Sequence, residues 1–213
     1  MNETEIEVSA ITSLGKGKYH VIFSNGISCD FYRSELKECS LAEGSFLSSE
    51  RLDGIFHDVV GKRATKRALH LLEQMDRSEA KLREKLRDNG YPEVCVDQAI
   101  DYVKSFHYLD DARYAATYVR YHGDSMSRGQ IRTKLMQKGI GREEIARAIE
   151  EEYQGEEEEQ LLALLKKRGY TGGDEKEYRR TYAFLARRGF QGSDIARAMR
   201  KASDGACDFS DEM

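Results

Sequence analysis

The sequence repeats itself three times, and this repeat restricts the possible folds more than any other feature of the chain. In each copy a leucine is followed four residues later by a glycine, and a large apolar residue comes directly after the glycine. These sets are Leu86-Gly90-Tyr91, Leu135-Gly139-Ile140 and Leu185-Gly189-Phe190. Apolar residues recur at three further offsets: Val96, Ile145 and Ile195; Ala99, Ala148 and Ala198; Ile100, Ile149 and Met199. The glycines lie 49 and 50 residues apart, which predicts three copies of one structural unit.

Each unit is predicted to contain three helices. A glycine just past a helix end adopts the left-handed conformation, and the apolar residue after it packs back onto the core. A second helix then begins within a few residues, since Pro92 or acidic residues occupy its first turn. One amphipathic helix precedes each pair, at about 62–75, 110–122 and 157–168. Units of this length stack on their neighbours, so the sequence predicts an elongated, curved helical array.

The first fifty residues have a different pattern. Apolar and polar residues alternate in the runs 6–11, 19–23 and 27–31, and Asn25-Gly26 between the last two is typical of a β-hairpin. These runs predict three short strands in a β-meander. A short helix is expected over 33–38, and Gly44 ends it before Ser48 or Ser49 caps the next helix.

The predicted fold class is therefore mainly α, with tandem three-helix repeats in a curved array after a small N-terminal β-containing segment. We expect the β-meander and short helices in 1–60. The three helical repeats are expected in 61–108, 109–155 and 156–203, followed by an acidic, mobile tail in 204–213.

Composition excludes several classes of protein. No apolar run approaches 18 residues, and the acidic N-terminus lacks the apolar segment of a secretory signal, so we expect a cytoplasmic protein without a membrane span. The four cysteines are isolated, which predicts reduced thiols, and the histidines lack metal-ligand spacing. No phosphate-binding loop or nucleophile elbow is present, so we predict no catalytic residue, cofactor or metal site.

The net charge of −4 is unevenly distributed. Residues 1–60 carry −5, residues 61–154 carry +2 and residues 155–213 carry −1, although 166–201 is basic. The whole-chain charge argues against a general polyanion-binding protein, whereas the local charge leaves such a function open.

The middle repeat holds the densest group of motifs. Asp110 and Asp111 suit the start of a helix, and Tyr114, Ala115, Tyr118 and Val119 form one face, which core packing explains. Ser127 and Gln130 have capping-box spacing, and Arg113 and Arg120 lie on one side of their helix.

Basic residues flank the Ile131–Leu135 stripe, with Arg128 and Arg132 on one side and Lys134 and Lys138 on the other. They form either a solvated helix face or a surface for phosphates or acidic side chains. Similar clusters occur in the other copies: Lys81, Arg83, Lys85 and Arg87; Arg179, Arg180, Arg187 and Arg188. Basic residues repeated along a stacked array would form a stripe that can follow a polymer.

Three motifs together resemble the RecX family of bacterial regulatory proteins. They are Arg77-Ser78-Glu79-x-x-Leu82-x-x-x-Leu86, Leu109-Asp110-Asp111-x-x-Tyr114-Ala115 and Arg128-Gly129-x-Ile131-x-x-x-Leu135-x-x-Lys138-Gly139-Ile140. The resemblance covers about residues 60–200 and implies tandem three-helix repeats. It also implies a protein that binds the RecA filament on single-stranded DNA and inhibits the recombinase, ATPase and coprotease activities of RecA. Such a protein restrains recombination, DNA repair and the SOS response.

On this interpretation we expect a monomeric, non-enzymatic inhibitor with basic contact residues. The candidate contacts with the RecA filament or DNA are Arg77, Arg113, Arg120, Arg128, Arg132 and Lys138. The candidate structural residues are Ser78, Asp110, Asp111, Tyr114, Leu135, Gly139 and Ile140. The alternative is a general DNA-binding module of helical repeats that acts by competing for DNA. The acidic net charge favours weak binding to naked single-stranded DNA.

Overall fold

The computed structural model describes residues 5–207, and these form two compact units that divide between Asp110 and Asp111. The first unit contains a sheet of strands β1 (Glu5–Gly15), β2 (Lys18–Phe23), β3 (Ser28–Tyr32) and β4 (Phe46–Ser48). The strands are antiparallel in the order β3-β2-β1-β4. The three predicted strands are confirmed. Strand β4 was not predicted, because only three residues of it pair with Glu5, Ile6 and Glu7 of β1.

The Asn-Gly hairpin between β2 and β3 is confirmed, but its turn is wider than two residues. Gly26 has a φ of +82°, and the amide of Phe23 donates to the carbonyl of Ile27 at 2.9 Å. The side chain of Asn25 accepts a hydrogen bond from the Ile27 amide at 3.1 Å. Asn25 therefore stabilises the turn through its side chain, while the glycine supplies the positive φ.

The first of the helices in this unit lies between β3 and β4 in the chain, and the others follow β4. The helices are α1 (Arg33–Glu38), α2 (Ser49–Ile55), α3 (Lys62–Gln74), α4 (Glu79–Asp88) and α5 (Glu93–Ser105), with a π-helical segment, Phe56–Gly61, between α2 and α3. Ser48 caps α2 as predicted, since its side chain accepts a hydrogen bond from the Arg51 amide. The inner face of the sheet and helices α2 to α5 share one hydrophobic core.

A buried aspartate joins the sheet to the first repeat. The carboxylate of Asp30 on β3 lies 2.8 Å from Nζ of Lys18 and 2.7 Å from Nδ1 of His20. Burial alone would raise the pKa of Asp30, but the hydrogen bonds from Lys18 and His20 outweigh burial and lower it. Arg63 of α3 donates to the main-chain carbonyl of Asp30 at 2.6 Å, which ties α3 to β3.

The second unit consists of six helices among its described residues. They are α6 (Asp111–His122), α7 (Arg128–Gln137), α8 (Arg142–Glu152), α9 (Glu157–Arg168), α10 (Glu175–Arg187) and α11 (Gly192–Cys207). One core lies within α6 to α8 and another within α9 to α11. The predicted 204–213 tail begins inside α11, and its last six residues lie outside the described part of the chain.

The repeat predicted from the sequence is visible in the backbone and the core. Gly90, Gly139 and Gly189 follow α4, α7 and α10 with φ values of +81°, +82° and +78°. The repeated apolar residues are buried in all three copies. The mainly α fold with three-helix repeats and an N-terminal β segment is therefore confirmed, whereas the bounds proposed for the separate domains stay a prediction.

The cysteine prediction holds for the three thiols that the structure describes. Cys29, Cys39 and Cys95 are free and buried, and burial raises the pKa of Cys95 to about 12. The Cys207 side chain lies outside the described residues. Over the described residues, no helix is both long enough and apolar enough to cross a bilayer.

Candidate partner-binding surface

Helix α7 carries two of the predicted contact residues, Arg128 and Arg132, and a third, Lys138, follows its last residue. Both ends of the helix are well defined. Ser127 caps the start, where its Oγ accepts a hydrogen bond from the Gln130 amide at 3.1 Å and donates to the carbonyl of Arg188. Lys138 caps the end, with its amide bonded to the Leu135 carbonyl at 3.0 Å. Gly139 then reverses the chain so that Ile140 is buried beneath the helix.

Lys138 lies against an aromatic surface on α6. Its Nζ is 5.7 Å from the ring centroids of both Tyr114 and Tyr118, and the two rings stack at 6.5 Å. Both tyrosines are half-buried against the core that contains Ala115 and Val119, as the spacing on α6 predicts. Burial raises the pKa of Tyr118 although the Lys138 charge opposes that rise. The rings restrict the position of the Lys138 ammonium group through cation–π attraction.

Arg120 forms a bidentate ion pair within the middle repeat. Its Nε and Nη2 atoms lie 3.0 and 2.8 Å from the two carboxylate oxygens of Glu152, at the end of α8. Hydrogen bonding within the pair raises the pKa of Arg120 and lowers that of Glu152. Arg120 therefore joins the ends of α6 and α8, and Glu152 neutralises much of its charge.

Arg128 joins the middle repeat to the third. Its amide donates to Glu157 at 2.7 Å, and its Nη1 lies 3.4 Å from the same carboxylate. The guanidinium carbon is 4.4 Å from the ring centroid of Tyr153, and the Tyr153 hydroxyl donates to the Met126 carbonyl at 3.1 Å. Because Glu157 is only 13% exposed, we expect Arg128 to contribute to the packing of α9 against the start of α7.

The other candidate residues differ in exposure. Arg132 is exposed on α7, and its side chain makes no hydrogen bond or ion pair with a described residue. Arg113 is exposed on α6, where it interacts with other parts of the protein. Arg77 belongs to the first unit and is half-buried, and its Nε is buried without a hydrogen-bond partner among the described atoms.

Three of the candidate structural residues have clear places in the helices or the core. Ser78 is buried and caps α4, Asp111 lies in the first turn of α6, and Leu135 is fully buried in the middle repeat. Asp110 is half-buried at the division between the two units and interacts with other residues. Histidine, cysteine, aspartate and glutamate do not form a cluster of metal-binding size anywhere in the described chain.

The structure brings only some of the candidates together. Lys138 meets Tyr114, and Arg120 and Arg128 both contact residues in the segment 152–157. The partners Glu152 and Glu157 were missed because they lie 32 and 29 residues from their arginines, beyond the spacing that a helix face can reveal. Phe184 was also missed, although Arg168 and Arg188 lie over its ring. Its sequence neighbours gave no signal for that contact with α9.

The basic cluster of the first repeat is largely paired with carboxylates. Arg83 contacts Glu79, Glu93 and Asp97, and Arg87 contacts Glu93 at 2.6 Å. Lys81 pairs with Glu84 and Lys85 with Asp88. These pairs weaken the potential that the basic residues of α4 can offer an anion.

Models of known families match all three repeats. The models are those of the first, second and third three-helix domains of RecX, and they match residues 64–102, 110–149 and 156–199.

Curated relatives agree with those models. Regulatory protein RecX of Vibrio parahaemolyticus is 36% identical over 134 residues, which cover 62% of this chain and 86% of that protein. Regulatory protein RecX of Clostridioides difficile is 30% identical over 167 residues, covering 76% of this chain and 78% of the relative.

Solved structures are similar as well. A crystal structure of regulatory protein RecX aligns with a TM-score of 0.59 and 26% identity, covering 90% of this chain and 97% of the other. The RecX structure from Lactobacillus salivarius aligns with a TM-score of 0.57 at 20% identity over 67% of this chain and 96% of the other, which supports the fold.

Proposed function

The chain belongs to the RecX family of regulatory proteins, and we propose that it binds the RecA filament on single-stranded DNA and inhibits the recombinase, ATPase and coprotease activities of RecA. It thereby restrains recombination and the SOS response. We propose that it acts in the cytoplasm as a monomer, without catalytic chemistry or a cofactor.

The observation that carries this proposal is the presence of all three RecX domains in tandem on one chain. Each domain has its own buried core residues and its own exposed helix faces. A regulator that binds a polymer of identical subunits gains affinity from several adjacent contacts, even when each contact is weak. Three similar domains in series suit such a partner better than they suit one compact ligand.

We propose that Arg77, Arg113, Arg120, Arg128, Arg132 and Lys138 contribute to filament binding, in two different ways. Arg120 and Arg128 are engaged by Glu152 and Glu157, so their main effect is to fix the shape of the second unit. Arg132 is exposed on α7 and has no described ion-pair partner, so it is the clearest candidate for a direct contact. Lys138, whose ammonium group lies over two tyrosine rings, presents a positioned charge near the other end of α7.

The test is the hydrolysis of ATP by RecA on single-stranded DNA, with this protein titrated below the RecA concentration. Arg132→Glu is expected to raise the concentration needed for half-inhibition by roughly fivefold or more, because reversing a contact charge produces repulsion. Arg147→Glu is the matched control, since Arg147 is exposed on α8 and also has no described ion-pair partner. Full inhibition by folded Arg132→Glu would show that this surface is assigned wrongly.

Arg128→Glu is a less selective change. It would place a second carboxylate beside the half-buried Glu157 and remove the cation from the Tyr153 ring, so we expect it to loosen the packing of the third repeat. A loss of inhibition in that variant could therefore come from altered packing of the second unit or from the loss of a direct contact with the filament.

The same titration separates the proposal from the alternative of a general DNA-binding module. Inhibition at ratios well below one per RecA, with weak binding to naked DNA at the same salt concentration, supports recognition of the filament. Inhibition only when the DNA itself is saturated with this protein would mean competition for DNA, and the alternative would replace the proposal.

A further inference from the structure

Two arginines of the third repeat lie over one phenylalanine ring. The guanidinium carbons of Arg168 and Arg188 are 4.7 and 4.6 Å from the ring centroid of Phe184. Phe184 is half-buried against the core of the third repeat, whereas both arginines are exposed. Because each guanidinium lies within 5 Å of the same centroid, the two charges are at most about 10 Å apart.

Both arginines stand at helix ends. Arg168 is the last residue of α9, and Arg188 is the C-cap of α10, so side chains from the C-terminal ends of these two helices converge on the Phe184 ring. The negative end of a helix dipole and the face of an aromatic ring each attract a cation. These attractions hold two like charges close together even though neither arginine pairs with a described carboxylate.

The surroundings of the pair are also basic. Residues 166–201 contain 11 lysines and arginines and 4 acidic residues. Two of those acids are paired elsewhere, Glu175 with Arg179 and Asp194 with Arg197, near the starts of α10 and α11. Lys166, Lys167 and Arg187 are exposed at the same helix ends as the arginine pair. Carboxylates of the protein therefore neutralise little of the positive charge at these helix ends.

The chemistry of the pair favours a phosphodiester backbone over a protein. A guanidinium group offers a planar fork of N–H donors that fits phosphate oxygens, and stacking on Phe184 leaves the donor edge accessible to a ligand. A protein partner usually requires an apolar anchor. Among described residues 157–204, however, the one exposed large apolar side chain is Tyr178, in the first turns of α10 rather than near its C-terminal end. A flexible single strand can bring neighbouring phosphates to two charges with a fixed separation.

We propose that Arg168, Phe184 and Arg188 form a binding site for the phosphodiester backbone of single-stranded nucleic acid. The site goes beyond the proposed function, because it binds the strand through the protein alone and needs no RecA. Its phosphate contacts are independent of base sequence, and its affinity falls as salt concentration rises.

The experiment measures the anisotropy of a fluorescent oligodeoxythymidylate titrated with the full chain at several salt concentrations. Arg168→Gln with Arg188→Gln is expected to weaken binding by about tenfold at low salt. The salt slope, which is about −0.7 per phosphate contacted on a single strand, should become shallower by about 1.4. Arg142→Gln with Arg147→Gln removes the same charge from exposed positions on α8 and should change affinity by less than about twofold.

A second variant separates the arrangement of the charges from their number. Phe184→Leu keeps both arginines but removes the ring that positions them, so we expect a loss of affinity of about threefold with circular dichroism unchanged. Arg168→Lys with Arg188→Lys keeps the charge and should also bind more weakly than the native chain, because the planar fork of donors is lost.

Several results would overturn the site. The proposal fails if the native chain does not bind the oligonucleotide, or if the glutamine pair and its α8 control lose affinity equally. It also fails if polyglutamate displaces the oligonucleotide as effectively as unlabelled DNA does, since the ligand would then be an acidic polypeptide. The proposed function fails on a different result, the absence of RecA inhibition in the ATPase titration, so the two failures can be told apart.

Discussion

The first and third repeats have the same buried pattern but opposite surface chemistry. Leu86 of α4 and Leu185 of α10 are both fully buried, and each lies four residues before a glycine with positive φ. Aligning the two glycines places Asp88 and Asn89 of the first repeat opposite Arg187 and Arg188 of the third. The same alignment puts Glu93 and Asp97 opposite Gly192 and Ala196.

These replacements account for the difference in charge. In the first repeat Glu93 and Asp97 hold Arg83 and Arg87 in ion pairs across the gap between α4 and α5. In the third repeat the equivalent positions of α11 carry no carboxylate, and the arginines at the helix ends rest on Phe184 instead. Buried positions therefore fix the three-helix arrangement, while a few exposed positions decide whether a repeat can bind an anion.

Removing a buried leucine should have a large effect on stability, and it tests the core packing that the two repeats share. Leu86→Ala and Leu185→Ala each remove a fully buried side chain, and each is expected to destabilise its own repeat by about 2–5 kcal/mol. Hydrogen exchange of the amides, read by mass spectrometry, should show the loss of protection in α3–α5 for the first variant and in α9–α11 for the second.

Arg147→Ala provides the control, because Arg147 is exposed. This variant should leave the protection of the amides from exchange unchanged in both repeats. If one leucine variant had no effect on its own repeat, the two repeats would not share the same packing.

A smaller effect is expected from removing the carboxylates that distinguish the first repeat. Glu93→Gln with Asp97→Asn releases Arg87 and leaves Arg83 paired with Glu79 alone, so we expect affinity for oligodeoxythymidylate to rise by roughly threefold. Fluorescence anisotropy at low salt measures the change.

Glu50→Gln with Asp53→Asn makes the same change in net charge on the exposed face of α2, and there we expect a smaller gain. An equal gain in both variants would mean that net charge alone controls binding, and the local comparison between the repeats would be wrong.

The sequence predicts the helices and most strands of this protein well, because the periodic spacing of apolar residues indicates which positions are buried. The repeated apolar residues and their glycines identify the helix pairs, and the Asn25-Gly26 turn identifies the hairpin. Strand β4 has no such signal, since three residues are too few to show alternation. The π-helical segment, Phe56–Gly61, was also not predicted, because α2 and α3 continue on either side of it with helical spacing.

The candidate surface is less predictable for a different reason. The sequence identifies which residues are basic, but the charge that a basic residue presents depends on carboxylates that folding brings close. Arg120 and Arg132 look alike as helix residues, yet Glu152 neutralises the first and no described residue pairs with the second. The i, i+4 spacing identifies ion-pair partners on the same helix but not those that lie on another helix.

Lowering the pH should change the stability of the first repeat only slightly. Burial of Glu79 opposes its ionisation, but hydrogen bonds from Lys104 and Arg83 outweigh burial and lower its pKa, and the hydrogen bond from Arg87 lowers the pKa of Glu93. A carboxylate whose pKa is lower in the folded state stabilises the protein fully above its ordinary pKa of about 4.3. This stabilisation disappears as the pH falls through the folded value.

As the pH is lowered from about 5 to about 3, the first repeat should therefore lose exchange protection more steeply than the third. The difference in the free energy of opening should be less than about 1 kcal/mol, because solvent screens these ion pairs. Glu79→Gln removes one of the titrating groups and should reduce the difference between the repeats. An equally steep loss in α10 and α11 would mean that acid acts on the whole chain, and that the ion pairs of α4 and α5 neutralise arginines without stabilising their own repeat.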